Sequence, residues 1–271
     1  MIVDMKKRRF SVYSYRTLVL CILFLAGVFF ALPVVAEDSV VRVHSDIWMP
    51  YNGVPGSDEE GYAVDILREI FTPHDIRVEY ADRSWNRSVL GLEQGGTDLV
   101  IGAFKFEVPN CIFPETTIGE TVMGLYSTNP HLKINDYDGL RDLKIGIVSG
   151  WGYRKWLLED AEKHPENYIR LYGDEAFPKL MELLLAHRVQ LIPGSSMVMN
   201  YQIKRNGLQD KVFFVGYGPS PKSEKLYYAF SPLHPERSRR LAKIVDDGMK
   251  RLRESGRLAA ILAKYGLSDW E

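Results

Sequence analysis

Two series of alternating strand and helix patterns, in the same order, cover most of the chain. The first series lies within residues 40–104 and the second within residues 144–217. Strands that alternate with helices of roughly 10–15 residues predict parallel sheets flanked by helices, so the predicted fold class is α/β. Because each series and its connections make a unit of about a hundred residues, the size of a small domain, the repetition favours two lobes over one large sheet.

The individual elements are predicted from hydrophobic periodicity and from the Gly and Pro residues that separate them. Strands are predicted at 40–44, 76–80, 99–104, 144–148, 168–172, 189–192, 211–217 and 226–230, and helices at 63–71, 85–94, 153–163, 177–186, 197–205, 235–254 and 257–265. Residues 126–138 and 218–225 are predicted as connections. The long helix near the end carries an apolar stripe that includes Leu241, Val245 and Met249. The stripe could instead be a membrane-binding or partner-binding face, but apolar stripes on helices mostly face the protein core.

The amino-terminal 36 residues differ from everything that follows them. Four basic residues at 6–9 precede an apolar stretch at 17–36, the pattern of a secretory signal peptide cleaved after Ala36. The alternative is a retained transmembrane anchor, since about 20 apolar residues can span a bilayer. Pro33, near the end of the stretch, favours cleavage. We therefore expect an exported, periplasmic protein.

Composition excludes several classes of protein. The chain has 34 Lys and Arg residues and 35 Asp and Glu residues. Residues 1–36 hold five of the basic and one of the acidic side chains. Cleavage therefore leaves 29 basic and 34 acidic side chains, a net charge of −5. This charge argues against nucleic-acid binding, and 46% apolar residues argue against disorder. Cys111 is the single cysteine left after cleavage. We predict that it is a buried small side chain; a disulfide with a partner protein is the alternative.

Polar and aromatic side chains follow the strands of the first series. In open α/β sheets, ligands bind beyond the carboxyl ends of the strands, and small molecules favour clefts between domains. Aromatic rings offer broad contact surfaces, Asp46 can accept hydrogen bonds or pair with a cation, and Arg87 can meet an anion. The alternatives are packing of Trp48 under its loop, a surface ion pair for Arg87 and a solvated Lys105. The candidate ligand-binding residues here are Asp46, Trp48, Tyr51, Trp85, Arg87, Gly102, Ala103, Phe104 and Lys105.

The second series contributes two further candidate loops. Glycines and the start of a helix after the strand at 144–148 expose backbone N–H groups that favour an anion, and the neighbouring rings can stack on a ligand. A tight turn before a capped helix is the alternative. One of two serines after the strand at 189–192 is expected to cap the next helix, and either hydroxyl can face the cleft. The candidates here are Ser149, Gly150, Trp151, Gly152, Tyr153, Ser195 and Ser196.

Catalytic and cofactor motifs are missing from the sequence. It contains no H-E-x-x-H, C-x-x-C, G-x-S-x-G or G-x-G-x-x-G pattern, and its six histidines lack the spacing of metal ligands. We expect a non-catalytic protein with no cofactor and no metal.

The order of the remaining motifs resembles the bacterial extracellular solute-binding proteins of family 3, the periplasmic polar-amino-acid-binding type. The likeness covers nearly all of the chain after the leader. It is carried by the loop at 48–51, Gly61-Tyr62-Ala63-Val64-Asp65, Trp85-Asn86-Arg87, the segment 95–98, Lys144-Ile145-Gly146-Ile147-Val148-Ser149-Gly150 and the closing segment 256–266.

The resemblance implies a two-lobed clamp of the type II periplasmic-binding-protein fold. Lobe 1 would comprise residues 37–126 and 228–271, and lobe 2 residues 127–227, joined by two hinge strands. A small molecule would be captured between the lobes and presented to the membrane permease of an ABC importer. We expect a monomer.

Two departures from the family pattern bear on the ligand. Binders of α-amino acids usually carry an Arg shortly after the third strand for the carboxylate, but residues 106–110 are Phe-Glu-Val-Pro-Asn. They also carry an Asp for the amino group, near the place of Ser195. A ligand other than a standard α-amino acid is therefore expected. The alternatives are an enzyme on the same clamp, similar to cyclohexadienyl dehydratases, and a sensory or interaction protein.

Overall fold

The computed structural model describes residues 39–173, 175–219 and 221–271. The predicted signal peptide lies outside these residues. Within them, no helix combines the length and apolar character needed to cross a membrane.

The first series of elements forms a parallel arrangement of three strands. Its strands are β1 (Val40–Ser45), β2 (Arg77–Asp82) and β3 (Leu99–Ala103), with β1 in the middle and parallel to both neighbours. Helix α1 (Tyr62–Phe71) follows β1, and helix α2 (Trp85–Gln94) follows β2. Gly95 ends α2 in a left-handed conformation, as the Gly-Gly pair after this helix predicts.

Two long antiparallel strands connect this part of the chain to the second series. They are β4 (Gly119–Ser127) and β9 (Ser223–Phe230), which pair through 119–122 and 223–226. The other half of β9 pairs with β3, while the other half of β4 pairs with strands of the second series. The two strands therefore run from one half of the molecule into the other.

The second series supplies four strands and three helices. The strands are β5 (Ile145–Val148), β6 (Tyr168–Leu171), β7 (Ile192–Ser195) and β8 (Phe213–Gly216). The helices are α3 (Lys155–Lys163), α4 (Ala176–Leu185) and α5 (Ser196–Arg205). Strands β5 and β6 are parallel, and β7 and β8 each pair antiparallel with β4.

The chain closes with α6 (Pro235–Glu254) and α7 (Arg257–Lys264), which pack against α1 and each other. Leu241, Val245 and Met249 are buried in the main core. The prediction that the stripe of α6 faces the core is confirmed. Cys111 is a free, partly buried thiol beside a small apolar cluster, and burial raises its pKa to about 11.

Three predicted boundaries are wrong where they affect the cleft, and strand β4 is absent from the prediction. Strand β9 begins at Ser223 instead of 226. Strand β7 covers 192–195 instead of 189–192, because Pro193 is accepted at the edge of the sheet, where a missing N–H costs no ladder bond. Helix α3 begins at Lys155, two residues later than predicted. The loop before it, including Trp151 and Arg154, is therefore longer than the sequence pattern indicates.

Candidate functional site

A cavity lies where the loops after β1, β2 and β3 meet the loop after β5 and the end of β7. The space between its walls and across its open mouth measures about 780 Å³. Its position beyond the carboxyl ends of parallel strands is where α/β sheets bind ligands.

Nine of the predicted site residues line this cavity. They are Asp46, Trp48, Trp85, Gly102, Phe104, Trp151, Gly152, Tyr153 and Ser195. Sequence reasoning missed nine others: Ile101, Phe106, Glu107, Thr121, Met123, Arg154, Gly194, Lys222 and Glu224.

The indole of Trp48 forms one wall and is held in place from behind. It stacks on Tyr51 with ring centres 4.8 Å apart and planes 20° apart. Gly102, with φ of +81°, lies under the same indole, and a Cβ there would be 3.1 Å from it. Tyr51 is fully buried and therefore supports Trp48 from the core, instead of contacting the cavity as predicted.

Trp151 forms the facing wall and bridges the two halves of the molecule. Its indole Nε1 donates a hydrogen bond of 3.0 Å to Oδ2 of Asp46. The ring also packs on Phe177, with centres 5.5 Å apart, and on Tyr153, at 6.4 Å. The Tyr153 hydroxyl accepts the backbone N–H of Val148 at 2.9 Å, which fixes the loop after β5. The two halves are thus in contact across the cavity.

Glu107 places a carboxyl group at the contact between the halves. Its Oε2 accepts the backbone N–H of Phe104 at 3.0 Å, and its Oε1 lies 2.1 Å from the position that a Cβ on Gly152 would occupy. Burial raises the pKa of Glu107 to about 7; the charge of Asp46 adds to this rise, and the Phe104 hydrogen bond opposes it. Among the residues that the structure describes, no Lys or Arg forms an ion pair with Glu107.

A second group of charged side chains also lines the cavity. Glu224 on β9 pairs with Arg154 and also with Lys222, whose Nζ is 3.2 Å from Oε1. Beside them, the hydroxyls of Thr121 and Ser195 are 2.6 Å apart. Ser195 also accepts the backbone N–H of Val198 at 3.4 Å, which makes it the N-cap of α5.

The remaining predicted site residues are placed away from the cavity lining. Lys105 lies over aromatic rings, with Nζ 4.3 Å from the centre of Tyr227, and Arg87 is exposed in the first turn of α2. Ala103 is buried in β3. The other three flank the cleft loops: Ser149, Gly150 and Ser196. Gly150 has φ of +87° and abuts the side chain of Asn86, so it contributes to closure of the cleft.

Comparison with known proteins finds likeness in structure. No family model and no curated protein matches the sequence. A histidine kinase sensor domain with similarity to periplasmic binding proteins is 18% identical with a TM-score of 0.69, covering 85% of this chain and 98% of its own. An ABC transporter substrate-binding protein from Streptococcus pneumoniae with bound histidine is 15% identical with a TM-score of 0.70, covering 84% and 92%. An ancestral arginine-binding protein bound to arginine is 16% identical with a TM-score of 0.69, covering 84% and 98%.

The chain has the periplasmic-binding-protein fold. The predicted fold class is therefore confirmed, and the two series of elements are its two lobes, connected by β4 and β9. The cavity is the cleft between them. The exact lobe boundaries at 126/127 and 227/228 stay a prediction. Strand β4 changes its pairing partner at 122/123, a few residues before the first boundary. Strand β9 changes its partner at 226/227, next to the second boundary.

Proposed function

We propose that the protein is an exported solute receptor that closes its two lobes around a small molecule. The observation that carries this proposal is the hydrogen bond from Trp151 to Asp46, which joins the lobes directly over the cavity. A ligand that touches both lobes stabilises the closed arrangement, because it gains all of its contacts only there. The closed form would then be presented to the permease of an ABC importer, and the receptor would act as a monomer in the periplasm.

The proposed ligand differs from a standard α-amino acid. Among the described residues of the cavity lining, the two cationic side chains, Arg154 and Lys222, both contact Glu224. Residues 106–110 place a carboxyl group, Glu107, in the cleft and supply no Arg for a ligand carboxylate. Ser195 contributes a hydroxyl that is already shared with Thr121.

Two other functions are weighed against transport. A sensory role is favoured by the likeness to a kinase sensor domain, and it would use the same cleft and closure. An enzyme on the clamp is favoured by Glu107, since a carboxyl group whose pKa lies near 7 suits proton transfer. The cleft provides no unpaired Arg for a carboxylate substrate among its described lining residues, which disfavours the dehydratase alternative.

Thermal-shift screening of the protein, purified after export, tests receptor function. Amines, amino acids, organic acids and sugars are added one at a time, and a solute at 1,000 times its Kd stabilises the folded state by about 4 kcal/mol. We expect at least one solute to raise the Tm markedly. Turnover of a bound solute, detected by mass spectrometry, would support the enzyme, and the absence of any stabilising solute would contradict a receptor.

A matched pair of variants then locates the binding site. Trp151→Phe keeps an aromatic ring and removes the hydrogen bond to Asp46. Trp270→Phe also removes one indole hydrogen bond, to Thr117, but outside the cavity. We expect weaker solute binding only in the first variant; equal effects would mean that the cleft is not the site.

A further inference from the structure

We propose that the solute is a small organic cation, an ammonium or guanidinium compound without a carboxylate, bound between the aromatic rings of the cleft with Glu107 as its counter-ion. This inference rests on the proposed receptor function and narrows its ligand. It is argued from the distribution of charge and of aromatic rings in the cavity.

Three of the charged side chains in the cavity form ion pairs with one another, and Glu107 does not join them. Arg154 and Lys222 share Glu224, so three of the five charged side chains form one connected group. Glu107 receives a single backbone hydrogen bond and forms no ion pair within the described part of the chain. An ionised carboxylate that is largely removed from water is costly unless a positive group approaches it. A cationic ligand would supply that group.

Aromatic rings line the same cavity as Glu107. The indoles of Trp48, Trp85 and Trp151 line the cavity together with two phenyl rings, Phe104 and Phe106. These phenyl rings are parallel, with centres 5.3 Å apart, and Phe106 is 56% exposed, so it lies at the mouth. Cations bind over the faces of such rings, and Trp is the strongest partner. Rings and a carboxylate together favour an organic cation over a metal ion.

A ligand carboxylate would find little to bind in the same space. It would face Asp46 and Glu107, and like charges repel. It would also have to compete with Glu224 for Arg154. The side chain of Lys222 is 64% exposed, and water screens its charge. Amines should therefore bind more tightly than the amino acids from which they differ only by the carboxylate.

Isothermal titration calorimetry with matched pairs tests this inference. The probes are agmatine and arginine, histamine and histidine, and tyramine and tyrosine, each at pH 8. We expect the amine of at least one pair to bind at least tenfold more tightly than its amino acid. An amino acid that binds as tightly as its amine would overturn the inference.

Variants of Glu107 assign the counter-ion. Glu107→Gln removes the charge at nearly constant shape, and Asp46→Asn is a second change in the same space. Glu236→Gln is the control, since Glu236 is exposed on α6 and pairs with Arg239. We expect Glu107→Gln to weaken binding of the amine at least tenfold at pH 8 and the control to leave it unchanged. Equal affinity in wild type and Glu107→Gln would overturn the assignment.

The pH dependence of affinity provides a readout that a loss of packing would not give. Asp46, Arg154, Lys222 and Glu224 are the other charged groups of the cavity. A cation binds the ionised form of Glu107, and the pKa of that carboxyl is raised to about 7. The wild-type affinity for agmatine, which keeps its charge, should fall several-fold from pH 8 to pH 6, and the affinity of Glu107→Gln should not. A parallel fall in both would contradict the assignment.

The outcomes separate this inference from the proposed function. If only anions or neutral solutes stabilise the protein, the cation inference fails and the receptor function stands. If no solute of any class binds, the receptor function itself fails, and the inference fails with it.

Discussion

Two parts of the cleft carry charge in different ways. In one, Glu224 pairs with Arg154 and Lys222, and the group is satisfied without a ligand. In the other, Glu107 shares the cavity lining with aromatic rings and accepts one backbone hydrogen bond, from Phe104. Pairing in the first part stabilises the protein without a ligand, whereas the second part gains most when a cation binds. The difference indicates which part of the cleft recognises the ligand and which part positions the hinge strand β9.

Loss of Trp151 should have the largest effect on binding. Trp151→Ala removes one wall of the cavity and the hydrogen bond to Asp46 across the lobes. Truncation of a central aromatic contact typically costs 2 kcal/mol or more, so we expect the Kd of the bound solute to rise about 30-fold or further. Calorimetry measures this. Arg87→Ala, outside the cavity lining, serves as the control, and an unchanged Kd for Trp151→Ala would show that the site is elsewhere.

Glu107→Gln should raise stability in a pH-dependent way. The folded pKa is raised from an ordinary value of 4.5 to about 7. Between these values the folded protein holds more protons than the unfolded chain, so stability falls as pH rises from about 4.5 to 7 and then stays level. The variant avoids this loss, which corresponds to about 1–3 kcal/mol at pH 8. The Tm of ligand-free wild type and variant is compared at pH 4.5 and pH 8.

A gain in Tm for Glu107→Gln at pH 8 that disappears at pH 4.5 is the expected result. The same difference between the two proteins at both pH values would mean that the Glu107 carboxyl does not titrate in this range. Glu236→Gln controls for the general effect of removing one negative charge.

Gly152→Ala should separate the roles of the two charged parts of the cleft. The added Cβ would occupy a position 2.1 Å from Oε1 of Glu107, so the carboxyl group must move. We expect about a tenfold loss of solute affinity, consistent with the 1–3 kcal/mol that overpacking typically costs. Gly96→Ala is the matched control, because a Cβ there meets no atom within 4 Å. Full affinity in Gly152→Ala would mean that the ligand contacts Glu224 and not Glu107.

Lys105→Ala should have the smallest effect. Lys105 is adjacent in sequence to the cavity residues Phe104 and Phe106, yet its ammonium lies over Tyr227 and Phe113. Removing an exposed cation–π contact costs about 0.5–1 kcal/mol of stability, and affinity for the solute should stay within twofold. A larger loss of affinity in calorimetry would mean that Lys105 turns into the cleft when the solute binds.

Sequence patterns predicted the fold because they depend on local signals. The alternation of strands and helices indicates α/β lobes, and α2 matches its predicted bounds because Gly95 ends it. Strand β7 was placed too early, since Pro193 looks like a strand breaker until its edge position is known.

Half of the cavity lining was not accessible to this reasoning, and Lys105 and Glu107 illustrate why. Both follow β3, and the sequence leaves Lys105 open as a ligand contact or a solvated side chain. The turn that Glu107 makes back to Phe104 points the acid into the cleft instead. Lys222 and Glu224 come from a stretch predicted as a connection, and they reach the cavity only because β9 pairs with β4. Such contacts are tertiary, and periodicity does not encode them.

The proposed receptor must close its lobes on a solute, and a measurement of the distance between the lobes shows whether it does. Spin labels are placed at Val54 in the first lobe and Tyr172 in the second, which are 55% and 72% exposed, in a Cys111→Ser background. Pulsed electron resonance then gives the interlobe distance with and without a solute selected by calorimetry. We expect a saturating solute to narrow the distance distribution and to shift it to the shorter distance of the closed arrangement. An identical distribution with and without the bound solute would contradict it.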